Sequence, residues 1–458
     1  MAKDSSLSQD VAELAKTFGG QLLQPVDAGY EEARKIHNGL VDKRPALIAR
    51  CKGTADIVDA VNLGRKLGLE IAVRGGGHNV AGRATVDKGL MIDLAPMKGV
   101  HVDVKVRTAR VQGGANWAEF NRETQLHGLA TTGGVVSSTG VAGLTLGGGL
   151  GWLMGKHGMA LDNLISVEIV TAEGKVLRAS SDENADLFWA VRGGGGNFGV
   201  VSSFEFKLHP VGPMVTGGLA AHPFDKARDV LRYYREMTQS LPDEVVAFSG
   251  LVHAPDGSGM KLAALVVGHF GDQAAGEKAM KPVKAFGPPV MDAIGPIPYN
   301  ALNSMLDAGY PKGALNYWKS SFLSELSDAA IDALIACFSK CPTPMGTILI
   351  EHLHGAACRV PIDATAFPHR GIGYNMAILT EWMDPAATKA CIAWTRETYD
   401  ALKPFRSAAR YVNYLGDDEA PDQVAAAYGA NYPRLQKIKA KYDPDNVFHL
   451  NQNILPKS

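Results

Sequence analysis

Up to residue 210 the apolar positions fall into short runs broken by glycine, with stretches of helical period between them. Residues 8–18 and 55–65 carry apolar side chains at helical spacing, and Thr54 stands where an N-cap would open the second stretch. Residues 44–51 and 69–73 are apolar runs of strand length, so this part reads strand, helix, strand. The second run leads directly into Arg74-Gly75-Gly76-Gly77-His78-Asn79. Short strands are predicted at 90–94, 100–103 and 108–112, a strand pair at 165–171 and 175–179, a helix at 186–192 and a strand at 200–208. The texture changes at 209–213 (His-Pro-Val-Gly-Pro). Residues 214–405 alternate β-like runs (245–251, 261–268, 347–354, 374–382) with helical patterns (224–240, 272–286, 328–340, 385–401). This predicts a separate α+β unit, an antiparallel sheet backed by helices.

Three successive glycines after a strand let backbone N–H groups converge on a small space, a nest for anionic oxygens. On that stretch alone an ordinary glycine-rich turn with a surface histidine competes evenly. Residues 131–151, TTGGVVSSTGVAGLTLGGGLG, hold too many glycines for a core helix and too many apolar residues for a linker. Backbone running beside a flat ligand accounts for both. Gly194, Gly196 and Gly199 fit G-x-G-x-x-G, but a helix precedes them and a strand follows, the reverse of the dinucleotide-binding order. Residues 151–157 fall one short of a P-loop and place His157 where a magnesium-binding hydroxyl belongs, which argues against phosphotransfer.

Composition narrows the partners. Lys+Arg (46) nearly balances Asp+Glu (47) in 458 residues, so no excess field recruits nucleic acid or an anionic membrane. A small molecule is the expected partner, and the chain length suggests two domains. No signal-like segment or long apolar span is read, so a cytoplasmic protein, monomer or homodimer, is expected. Five cysteines without zinc-like spacing predict neither a disulfide framework nor a metal site.

Further motifs are LDNL (161–164), RGGGGNFGVV (192–201), FPHR (367–370), YVNY (411–414) and DPDNVFHLNQNI (443–454). Together with the nest and the 131–151 stretch, they make nearly the whole chain resemble the bacterial berberine-bridge-enzyme-like FAD-linked oxidases. These share the vanillyl-alcohol-oxidase, PCMH-type FAD-binding fold, and the branch is that of 6-hydroxy-D-nicotine oxidase and the antibiotic-pathway oxidases. The resemblance implies an α+β architecture with an FAD-binding domain at 1–210, a substrate domain at 211–405 and a return to the first domain at 406–458. It implies FAD joined covalently to His78 and held by Arg74, Gly75, Gly76, Gly77 and Asn79. A second group would comprise Thr132, Gly133, Gly134, Val136, Gly140 and Gly143, and a third Asn197, Val200, Asn451 and Asn453. Val136 stands where doubly linked relatives carry cysteine, which implies a single bond. Thr139 stands at the position controlling oxygen access and implies an oxidase.

The resemblance further implies that Tyr414 is the base for hydride removal, helped by a cation such as Lys319, with Tyr317, Trp318 and Asn375 on the substrate side. Asn375 and Ala377 occupy the strand where some plant members place a catalytic Glu or Gln, so that base is not expected here. The implied activity takes a hydride from an alcohol or amine-bearing carbon of a small molecule, such as an alkaloid, sugar or other secondary metabolite, and reduces O2 to H2O2. A flavin-dependent oxygenase or cyclase is the alternative reaction. A catalytically silent flavin-binding protein is the alternative of another class.

Overall fold

The computed structural model describes residues 2–323 and 325–457. Three layers of sheet carry the site. The first joins Leu47–Arg50, Leu90–Asp93 and Ile71–Arg74 in parallel, with Gln21–Leu23 antiparallel at one edge. Parallel neighbours need a crossover, supplied by the helix Thr54–Leu67, whose Ile57, Ala60, Val61 and Leu63 pack against the strands. Thr54 is not its cap. Gly53 takes that place, Thr54 Oγ1 donates to Glu168 Oε1 at 2.7 Å, and Asp56 accepts from the N–H groups of Gly19 and Lys52. The first helix runs Ala2–Leu14, ending before the predicted stretch does.

The second sheet is antiparallel, in the order Val100–Asp103, Thr108–Gln112, Val200–Lys207, Leu164–Val170, Val176–Ser180. Its core takes in Phe204 and Phe206 together with Leu415, Tyr428, Leu435 and Ile454, so residues near the C-terminus complete a core begun far upstream. The glycine-rich 131–151 stretch is not all extended loop, because Val141–Gly147 forms a helix.

The third sheet has eight antiparallel strands, from Met214–Pro223 to Gly373–Trp382, with Leu315–Leu323 at one edge. The helices Ala227–Thr238, Gln273–Ala285, Asp328–Phe338 and Thr388–Ala401 cover one of its faces. The opposite face closes over the glycine-rich loops, where Phe248, Val266 and Leu349 meet Leu150, Trp152 and Tyr411.

Register in the first sheet puts Arg74 opposite Asp93. The guanidinium grips the carboxylate with Nε to Oδ1 at 2.8 Å and Nη2 to Oδ2 at 2.6 Å, and donates to the Lys35 carbonyl. Asp93 is fully buried. Breaking a buried pair leaves an uncompensated charge, so Asp93→Ala should lower unfolding free energy by about 3–5 kcal/mol. Urea denaturation monitored by tryptophan fluorescence would measure this, and a loss below about 1 kcal/mol, the worth of an exposed pair, would contradict it.

Candidate functional site

The nest is built by close approach of two backbones. A Cβ on Gly76 would lie 2.4 Å from the Gly140 Cα, and one on Gly140 would lie 2.5 Å from the Gly76 nitrogen. Only glycine at both positions lets the loops meet. A Cβ on Gly143 would meet nothing within 4 Å and would project into open space. Gly75, Gly76, Gly77, Gly134, Val136, Gly140 and Gly143 all line one cavity with His78, Asn79 and Thr139. The same cavity is lined by Gly195, Gly196, Gly199, Asn451 and Gln452, and by Trp318, Tyr310, Leu349, Leu379 and Tyr414.

His78 is half-buried, with Nε2 2.9 Å from Ser138 Oγ. Its ring stacks on His37 at a centroid distance of 3.9 Å. Burial, and then the neighbouring His37, push its pKa down to about 3, so at neutral pH it is an uncharged imidazole. No cysteine lines this cavity among the described residues.

Several residues expected to touch the cofactor are structural instead. Arg74 is committed to Asp93, as above, although it also lines a second cavity with Gly75, Gly76, Gly77 and His78. Thr132 is fully buried and donates to the Gly158 carbonyl at 2.7 Å. Gly133 is required by packing, since a Cβ would strike the Trp117 ring at 2.4 Å. Asn197 pins the C-terminal tail: Nδ2 donates to the Gly194 and Gln452 carbonyls, and Oδ1 accepts from Ile454 N–H. Val200 belongs to a buried core cluster, and its strand neighbour Val201 faces the cavity in its place. Asn451 lines the cavity and donates to the Gly196 carbonyl at 2.9 Å, whereas Asn453 does not line it and has a buried Oδ1 without a partner among the described residues.

On the substrate side, YVNY divides its labour. The Tyr411 hydroxyl accepts from Gly149 N–H and from Asn413 Nδ2, which fixes the turn carrying Tyr414. Tyr411 and Trp318 meet the Tyr414 ring edge-on at 4.9 and 6.1 Å. The Tyr414 hydroxyl donates to Glu351 Oε1 at 3.4 Å, and Asn375 Nδ2 donates to Glu351 Oε2 at 2.6 Å. Glu351 and Asn375 face each other across paired strands.

Burial pushes the Glu351 pKa up to about 7, against the hydrogen bonds from Asn375 and Tyr414 that lower it. The same burial, with Glu351 beside it, holds Tyr414 well above the usual phenol value. Tyr414 is therefore a neutral donor at neutral pH, and the group poised to take a proton is Glu351. The strand after FPHR carries no acid at Asn375 or Ala377, as expected, but a carboxylate from elsewhere stands beside Tyr414. The Glu comes from the neighbouring strand Thr347–Leu353 rather than from the strand after FPHR. A signal was present, because a charged residue inside the apolar run TILIEHL must be buried with a partner.

Two further expectations fail. Side chains alternate along Leu315–Leu323, so Trp318 faces the cavity while Tyr317 and Lys319 face the helical side. Lys319 Nζ binds Asp418 and Glu419, both at 2.7 Å, and does not serve Tyr414. The Tyr317 hydroxyl donates to Asp418 at 2.6 Å and accepts from Arg396, so it does not line the cleft. Tyr310, edge-on to Trp318, lines the cavity in its place and was not anticipated. Nor was Glu381, a fully buried carboxylate whose pKa burial raises to about 8.

Family models match at both ends of this arrangement. Residues 45–180 match an FAD binding domain, and residues 410–455 match the berberine and berberine-like family. The (R)-6-hydroxynicotine oxidase of Paenarthrobacter nicotinovorans is 30% identical, covering 96% of this chain and 97% of its own. The chain belongs to the berberine-bridge-enzyme-like FAD-linked oxidoreductases. Solved structures agree with this family. The 6-hydroxy-D-nicotine oxidase of Arthrobacter nicotinovorans superposes with a TM-score of 0.86 at 29% identity, covering 96% of this chain and 99% of that one. A chitooligosaccharide oxidase superposes at 0.85 with 25% identity over the full length of both.

The residues present fit FAD. Loops opened by glycine at 75–77, 140, 143, 195 and 196 leave backbone facing a continuous cavity, and a Cβ on Gly143 would intrude into it. As a berberine-bridge-enzyme-like protein, the chain is an FAD-dependent oxidoreductase acting on small molecules.

Proposed function

We propose that this enzyme is an oxidase with FAD linked covalently to His78, acting on an alcohol or amine carried by a compact apolar or aromatic body, with O2 as electron acceptor. The observation that supports the reading is Tyr414, which lines the same cavity as His78 and is backed by the buried Glu351–Asn375 pair. When bound, FAD accepts the hydride and passes the electrons on to O2. The protein supplies the rest. Tyr414 binds the reacting hydroxyl or amine and relays its proton to Glu351, and Asn375 keeps the carboxylate turned toward the phenol. Trp318, Tyr310, Leu349 and Leu379 exclude water and orient the substrate body. Thr139, small and facing the cavity, leaves room for O2.

That wall offers few hydrogen-bond partners to a polyol, which favours substrates of the hydroxynicotine kind over oligosaccharides. Anaerobic stopped-flow reduction should therefore be faster with cyclic amines and benzylic alcohols than with chito- or gluco-oligosaccharides, and air should reoxidise the flavin with release of H2O2. Faster reduction by oligosaccharides would reverse the substrate assignment. Reduced flavin that persists in air would remove the oxidase reading.

A further inference from the structure

Covalent attachment requires one imidazole to be held in a single orientation, and the terminal torsion of a histidine ring is broad. Among the described residues, two neighbours restrain the ring of His78: Ser138 at Nε2 and His37 across its face. We propose that His37 is a positioning residue for the His78–flavin bond, its ring stacked on that of His78 so that Nδ1 is presented to the flavin. The inference rests on the covalent linkage proposed above.

The stack is close, with centroids 3.9 Å apart and ring planes 22° from parallel. His37 is held where this contact is unavoidable. Its N–H donates to the Gly77 carbonyl at 3.0 Å, one residue before His78, and its own carbonyl accepts from Gly313 N–H at 2.9 Å. The next residue, Asn38, donates to the carbonyls of Val80 and Asn316 and accepts from Asn316 N–H. Residues 37–38 are thus clamped between the nest and the loop leading into Leu315–Leu323. The His37 side chain makes no hydrogen bond among the described residues, so its contribution is the ring face. It is 8% exposed, and burial brings its pKa down to about 4, so both stacked rings are uncharged at neutral pH and do not repel.

With Nε2 engaged by Ser138, Nδ1 is the nitrogen left to bond. In the attachment step Nδ1 forms a C–N bond to the flavin 8α carbon, and that carbon gives up one proton. The imidazole gives up its Nε2 proton toward Ser138. With FAD bound, O2 would take up the electron pair and the two protons, so the sum would be FAD plus imidazole N–H plus O2 giving linked FAD plus H2O2.

Apoprotein from flavin-limited expression, mixed with FAD in air, would report attachment as flavin retained after acid precipitation. His37→Ala should bind FAD at wild-type stoichiometry yet attach it at least ~10-fold more slowly, while His37→Phe, which keeps a flat ring, should attach within ~3-fold of wild type. Attachment by His37→Ala at the wild-type rate would overturn the proposal. So would a loss in His37→Phe as deep as in His37→Ala, which would call for a ring nitrogen instead, or a failure of both variants to bind FAD, which would make His37 architectural. Acid-labile flavin in the wild type would instead remove the linkage itself, and with it the role of His37.

Discussion

Glu351→Gln should slow anaerobic flavin reduction by about 10²–10⁴-fold, the usual worth of a positioned general base. The amide keeps the shape and can still meet Asn375 and Tyr414, so substrate binding and flavin content should be nearly unchanged. The pH dependence supplies a sharper readout. Glu351 accepts a proton only when ionised, and its pKa is raised to about 7. Reduction by the wild type should therefore be slow at pH 5–6, rise through about pH 7 and level off above it. That limb should vanish in Glu351→Gln. Tyr414→Phe breaks the relay through which the buried carboxylate acts, so the rate should fall and the limb near pH 7 should be lost with it. A limb that stays in Glu351→Gln and disappears in Tyr414→Phe would return the base role to the phenol.

His78→Ala should convert acid-stable flavin into fully releasable flavin. His78 is a half-buried, neutral imidazole lining the cavity, and it is the nucleophile there that the resemblance singles out. Loss of the 8α substituent should also lower the flavin potential and slow hydride acceptance, because the substituted ring is the better acceptor. Tryptic mass spectrometry of the wild type should place flavin on the peptide holding His78 and none on residues 131–151, where Val136 lines the cavity and no thiol does. Flavin found on a cysteine would refute both parts. The Arg74–Asp93 pair makes a useful control, since its loss should reduce stability without making the flavin acid-labile.

Much of the site was legible because it depends on short-range chemistry. The glycines at 75–77, 140 and 143 declare themselves in sequence, since close approach of two backbones, a positive φ or a cavity-facing main chain each excludes a Cβ. YVNY was legible for a similar reason, because Tyr411 and Asn413 bond each other two residues apart and fix the turn that carries Tyr414. The failures share a different cause. Arg74 sits in the nest motif, but parallel register sets it against Asp93, and no local pattern announces which residue of another strand will be opposite.

The amino-acid sequence by itself determined the glycine-rich loops that line the cavity, the histidine among them and the family. These rest on local backbone demands and on residues whose types have few other uses. Only the tertiary structure decided which carboxylate lies beside Tyr414 and which faces of the substrate sheet point inward. Strand alternation has a period of two, so Tyr317-Trp318-Lys319 shows that neighbours point opposite ways without saying which way is inward. Helices packed on one side of the sheet claim Tyr317 and Lys319, and the FAD domain closing on the other leaves Trp318 to the cavity. The same closure buries Glu351 beside Tyr414, 63 residues away in the chain, and burial is what raises its pKa to about 7.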